Sequence, residues 1–193
     1  FRLPPTKNTL VQFDESQQGT IRKNPEALFA SKIIVCEGAT EVGIMRAFDS
    51  FLKEQDGYGL SYYGVRCADG TGSELVNYCK SFRKAGYDVC LFCDSDDAGV
   101  NGQKEALRGL EIAIADCDDG LCIEKQIFKD LSWTQISVIM DYGLTDKYDR
   151  IIGNINVYGG NMEDPDWFKE ETENIREILG NASVYKTKKE DKS

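Results

Sequence analysis

The chain has 193 residues, 41% of them hydrophobic and 10% aromatic, enough to bury one core with irregular ends but too few for two full domains. Its net charge of −10 argues against a domain that grips nucleic acid through a basic face, although a cluster of acids that takes divalent cations is formally negative until the metal arrives. The absence of histidine removes Ser-His-Asp and Cys-His nucleophile systems, histidine-ligated zinc and imidazole general bases, leaving carboxylate, lysine, thiol and hydroxyl chemistry.

Residues 1–27 mix Pro4, Pro5, Pro25, Gly19 and polar side chains and read as an N-terminal arm, with Leu10 to Phe13 as at most one short strand. The start at Phe1, without an initiator Met or a leader, reads as a fragment of a longer protein. Ile33 to Cys36 is a short, β-branched run that ends on Glu37-Gly38, the pattern of a buried strand turning into a helix. Glu41 opens that helix, which runs to about Gln55 with Val42, Met45, Phe48, Phe51 and Leu52 as a core-facing stripe.

A second strand is expected over Leu60 to Cys67, leaving on Asp69-Gly70, followed by a helix capped by Thr71 or Ser73 and running to Ala85, with Leu75, Cys79 and Phe82 inward. Tyr87 to Cys93 is apolar enough for a central strand of a parallel sheet and runs directly into Asp94-Ser95-Asp96-Asp97. A polar helix over Gly99 to Leu110 leads to a fourth strand, Leu110 to Ala115, with more acids at its exit. Helices follow over Glu124 to Leu131 and Ser132 to Tyr142, then an irregular stretch to Asn161, then a helix from Asp164-Pro165 to Gly180. Strand and helix thus alternate, which predicts an α/β fold: a mainly parallel sheet flanked by helices, with extra C-terminal helices.

Seven cysteines without paired spacing, some inside predicted strands, fit a reducing, cytoplasmic setting. Cys90 and Cys93 form a CxxC whose side chains face opposite sides of a strand, so buried structural thiols are expected there and not a zinc site. No apolar run reaches membrane-spanning length. The tail from Tyr185 carries Lys186, Lys188, Lys189 and Lys192 and makes a locally basic end on an acidic chain.

The acids at successive strand exits define the candidate site. Glu37 and Glu41 follow the first strand, Asp69 the second, Asp94 and Asp96 the third, and they converge on one edge of the predicted sheet. Open α/β sheets place their chemistry there, and a pair of hard divalent cations about 3.5–4 Å apart needs carboxylates from several elements. A lone Glu-Gly or Asp-Gly is usually a turn, and Asp97 reads chiefly as a cap for the following helix, so the weight rests on the ExxxE and DxD pairs in this order.

With Glu37-Gly38 ending one strand and Asp94-Ser95-Asp96 ending a later one, the sequence resembles the Toprim domain shared by topoisomerases, bacterial primases and OLD-family (overcoming lysogenization defect) nucleases. It is most similar to the OLD endonucleases through Val35 to Glu41, Asp94 to Gly99 and Asp119 to Glu124. The resemblance implies a Toprim-type core over residues 28–131, with a C-terminal helical region and basic tail over 132–193. It implies metal ligation by Glu37, Glu41, Asp94 and Asp96, with Glu124 as a further ligand or supporting residue, whereas Asp69 is a candidate from its strand-exit position alone, since no family motif fixes its loop. The implied cofactors are two ions of Mg²⁺ or Mn²⁺. The implied activity is DNA endonuclease hydrolysis by a two-metal mechanism, nicking one strand or cutting both. The rival is a non-catalytic acidic α/β module, a degenerate Toprim domain that serves assembly. The resemblance further implies DNA as partner and an ATPase domain in the same full-length chain; this chain has no GxxxxGK[ST], so any ATP site is expected outside it. A homodimer and a catalytic lysine near the C-terminal end are compatible with it, and no motif chooses among the four tail lysines.

Overall fold

The computed structural model describes residues 25–70, 74–164 and 167–184, together with residues 18 and 22. The chain forms two compact units, Phe1–Gly120 and Leu121–Ser193. The expected strand at Leu10 to Phe13, the caps at Thr71 and Ser73, Pro165 and the four tail lysines lie outside the described residues.

The first unit holds a four-stranded sheet built from β1 (Lys32–Cys36), β2 (Val65–Asp69), β3 (Asp88–Cys93) and β4 (Ala113–Asp116), in the order β2-β1-β3-β4. Every pairing is parallel, with Cys36 opposite Asp69 on one side and Phe92 on the other, and Cys93 opposite Asp116. Helix α1 (Ala39–Asp56) joins β1 to β2, α2 (Leu75–Lys84) joins β2 to β3, and the short helices α3 (Ala98–Asn101) and α4 (Lys104–Gly109) join β3 to β4. The chain steps one way from β1 to β2, then back across β1 to β3 and onward to β4. Right-handed crossovers therefore put α1 on one face and α2 and α4 on the other. The reversal makes the carboxyl ends of β1 and β3 the switch point of the sheet, where open α/β folds form a crevice.

The core lies on the α2 face. Ile33, Val35, Ala68, Val89 and Leu91 from the sheet pack with Leu75, Val76, Cys79 and Phe82 of α2 and Leu107 of α4. Phe82 meets Tyr87 edge to face, with ring centroids 5.6 Å apart at 86°, and the Tyr87 hydroxyl donates to the Leu28 carbonyl at 3.1 Å. The opposite face is thinner. The expected core stripe of α1 is only half-buried at Val42, Met45 and Leu52, while Phe48 and Phe51 are 45% and 53% exposed, so that expectation is corrected.

Turn chemistry accounts for the other differences in this unit. Leu60 to Gly64 is a run of turns and not the start of β2, because Tyr62 N donates to Gly59 O and Gly64 N to Ser61 O while Gly64 itself takes φ 70°. Aromatic strand propensity gives way there to the bracketing glycines. The single helix expected over Gly99 to Leu110 is two, broken at Gly102 and Gln103. Strand β4 begins three residues late because Leu110 ends α4 and Glu111 adopts φ 58° to turn the chain.

The second unit contains α5 (Ile123–Asp130), α6 (Trp133–Val157) and α7 (Glu173–Ser183), around a core of Phe128, Ile136, Met140, Ile155, Ile175, Ile178 and Leu179. Ser132 caps α6 as expected, accepting from Gln135 N at 3.4 Å. The stretch expected to be irregular up to Asn161 is helical to Val157, with a kink at Lys147 (φ −141°, ψ 42°). Its apolar residues Leu144, Ile151 and Ile155 pack on the core, and that packing outweighs Gly143 and Gly153. The C-terminal helix starts at the Thr172 cap, after a 3-10 turn over Trp167–Glu170, and passes through Gly180 where a stop was expected. A Cβ at Gly180 would stand 3.3 Å from Lys125 Cα, so glycine is there to let α7 and α5 approach. Arg176 binds the end of α5, donating to the carbonyls of Phe128 at 2.7 Å and Leu131 at 2.6 Å, with its guanidinium 4.5 Å from the Trp133 ring. No described helix is long and apolar enough to cross a membrane.

Candidate metal centre

Glu37 is the first residue past β1, and two hydrogen bonds hold it to β3. Its amide donates to Phe92 O at 3.0 Å, and its Oε2 accepts from the Asp94 amide at 2.9 Å. The carboxylate of the first motif is thus tied to the first acid of the second across the switch point. Glu41, buried at 3% exposure in the first turn of α1, reaches back to accept from Gly38 N at 2.7 Å. An acid in a first helical turn also complements the positive end of the peptide dipoles. The exit of β2 is held close to β1, since Gly70 N donates to Cys36 O at 2.8 Å and a Cβ on Gly70 would fall 2.9 Å from Val35 Cγ1 and 3.1 Å from Cys36 O. Only glycine fits there, and Asp69 is thereby fixed as the last residue of the neighbouring strand.

Electrostatics ties these acids together. Burial, and then the charges of Glu41, Asp97 and Asp96, push the Glu37 carboxyl above its ordinary value, while the hydrogen bond from the Asp94 amide pulls the other way. Asp97 serves the turn, as its pattern suggests, accepting from Gly99 N at 2.7 Å and Val100 N at 3.0 Å at the start of α3. Glu37, Glu41, Asp94, Asp96 and Asp97 therefore share one crowded edge. Glu124 stands in the first turn of α5, half-buried, in the second unit.

The residue that sequence reasoning missed is Lys104. It is 7% exposed, and its ammonium donates to Asp116 Oδ2 at 2.8 Å, Ser95 Oγ at 3.1 Å and Asp94 O at 3.4 Å. Ser95, 3% exposed, turns inward and donates to Cys117 O at 2.7 Å. The acid at the end of β4 therefore neutralises a buried lysine. The only hint in the sequence was a lysine in a polar helix following the DxD motif, too weak a signal to act on.

The residues fit a hard divalent cation in kind, being oxygen donors from several elements whose mutual repulsion a cation would relieve. Among the described residues, no three Asp, Glu or Cys side chains stand close enough to enclose an ion. The seven cysteines are free thiols, and burial raises Cys79 and Cys93 to about 12, which leaves them protonated and inert near neutral pH.

Residues 28–96 match the family model described as overcoming lysogenization defect protein-like, TOPRIM domain. Over this segment the chain is similar to the Toprim domain of OLD-like proteins. The matched stretch contains Glu37, Glu41, Asp69, Asp94 and Asp96 and ends on the DxD motif, and the parallel α/β sheet agrees with a Toprim-type fold. A Toprim domain points in general to nucleic-acid processing and divalent-metal binding. No curated protein and no solved structure matches the chain.

Proposed function

We propose that this Toprim domain belongs to a metal-dependent endonuclease that hydrolyses DNA phosphodiester bonds. The observation that carries the reading is the Glu37 Oε2 to Asp94 N hydrogen bond, which joins the two Toprim motifs at the switch point with Glu41 and Asp96 in electrostatic contact. Two ions of Mg²⁺ or Mn²⁺ would supply activation of water and stabilisation of the leaving 3′ oxygen. Glu37, Glu41, Asp94 and Asp96 would hold them, with Asp69 at the adjacent strand end as a further donor. Without cations the same carboxylates repel a phosphodiester, so they make substrate approach conditional on metal. DNA is the substrate of this reading. An ATPase domain in the full-length chain, a second copy of the chain and a cytoplasmic setting complete it.

The test is a supercoiled-plasmid cleavage assay on the wild type, Asp94→Ala and Asp96→Ala in Mg²⁺, Mn²⁺ and Ca²⁺, with circular dichroism as a control for folding. Cleavage in Mg²⁺ or Mn²⁺ by the wild type, poor cleavage in Ca²⁺, and none by either variant are expected. Full cleavage by folded Asp94→Ala would sink the reading. Wild-type inactivity in every metal would favour the non-catalytic assembly module.

A further inference from the structure

An ammonium buried to 7% exposure is costly unless it is neutralised and all its protons are used, and Lys104 meets both conditions. Its three donors have three oxygen partners, one carboxylate, one hydroxyl and one carbonyl. Two of these belong to Asp94 and Ser95, the first two residues of the Asp94-Ser95-Asp96 motif. Ser95 is held at further points, since its hydroxyl donates a hydrogen bond to Cys117 O and its carbonyl accepts from Asn101 Nδ2 at 2.8 Å and Gly120 N at 3.1 Å. The third partner, Asp116, is the last residue of β4, so one cation ties the exits of two neighbouring strands.

From this geometry we infer that Lys104 is a positioning residue for the Asp94–Asp96 loop, acting through Ser95 and the Asp94 carbonyl from the interior side of the sheet. The inference rests on the proposed metal-dependent reading of the two acids. The residue between them is fixed at its hydroxyl and carbonyl, which leaves the flanking carboxylates little freedom in where their backbone starts. The positive charge also offsets the repulsion that would otherwise spread the acids when no cation is bound. Supporting groups of this kind typically change metal affinity or activity by about 10–100-fold when removed.

Three variants of the 193-residue chain test it: Lys104→Met, Ser95→Ala, and the double variant Lys104→Met/Asp116→Leu. The double variant removes both charges together and so avoids leaving a carboxylate unpaired, which keeps the test valid if Lys104→Met alone does not fold. The first readout needs no metal: amide hydrogen exchange of residues 94–97 in EDTA, expected to quicken at least about 10-fold in each variant while the β1 and α2 amides keep their protection. The second is Mn²⁺ titration of the folded proteins by calorimetry, expected to show affinity weakened about 10–100-fold. Unchanged exchange at 94–97 in folded variants overturns the positioning role whether or not metal binds. Unchanged Mn²⁺ affinity beside faster exchange overturns its connection to the metal site. A wild type that takes up no Mn²⁺, with loop exchange still dependent on Lys104, overturns the metal reading and with it the role assigned here, leaving a loop brace only.

Discussion

Replacing Glu37 by Gln and by Ala separates what this side chain does for the fold from what it does for chemistry. Both changes remove the carboxylate, so both are expected to abolish cleavage and the stabilisation conferred by Mg²⁺. They differ in one contact, because the Gln amide oxygen can still accept from the Asp94 amide where Glu37 Oε2 does so at 2.9 Å, and Ala cannot. An amide that loses its acceptor at a half-buried position costs about 1 kcal/mol, which corresponds to about 2–4 °C in Tm for a chain of this size. Glu37→Ala should melt lower than Glu37→Gln by that amount in EDTA. Against the wild type the sign is opposite. Burial, then the charges of Glu41, Asp97 and Asp96, place the folded-state carboxyl above its unfolded value even with the Asp94 hydrogen bond opposing. Ionised Glu37 is therefore penalised by folding; the penalty is present at pH above the folded value and vanishes as pH falls below the unfolded one. Glu37→Gln lacks the penalty at every pH, so without metal it should be more stable than the wild type at pH 7, with the gap closing on acidification. Calorimetric melts of the three proteins in EDTA between pH 4 and pH 8 read all of this. Equal Tm for Gln and Ala, or a gap that widens as pH falls, would refute the assignment of Glu37.

Asp97→Ala should cost about 1 kcal/mol in stability through loss of the α3 cap and still cleave plasmid, a result read from melting and nicking assays together. Millimolar Mg²⁺ or Mn²⁺ should raise the wild-type Tm, by an amount equivalent to about 2.7 kcal/mol at a hundredfold excess over Kd, and no shift in differential scanning fluorimetry would count against the site. Phe82→Ala, emptying a fully buried position of the α2 core beside Tyr87, should cost about 3–5 kcal/mol in urea denaturation, whereas Phe51→Ala on the exposed side of α1 should cost far less. DNA binding in EDTA should be weak and fall steeply with salt; tight, salt-insensitive binding by fluorescence anisotropy would contradict an acidic site that depends on cations.

What the sequence revealed and what it hid divide along a physical line. Apolar runs ending on acids mark buried parallel strands because only such strands are apolar on both faces, so β1 and β3 were legible, and with them the edge that carries Glu37 and Asp94. Right-handed crossovers then leave few ways to order the strands, and the switch point between β1 and β3 follows. Features decided by tertiary contact were not legible. The period of α1 does not say that Phe48 and Phe51 stay exposed, and the glycines of α6 look like breaks until Leu144, Ile151 and Ile155 have a core to pack on. Lys104 shows the limit most clearly. In the sequence it is one of many charges in a polar stretch, and its importance depends on three oxygens contributed by the two residues that follow β3 and by the last residue of β4. Motif patterns identify groups that face outward to chemistry, since spacing along one chain sets those. A buried charge is selected by partners distant in sequence, so the residue bracing a motif from inside is found only when the strands carrying its partners are in place.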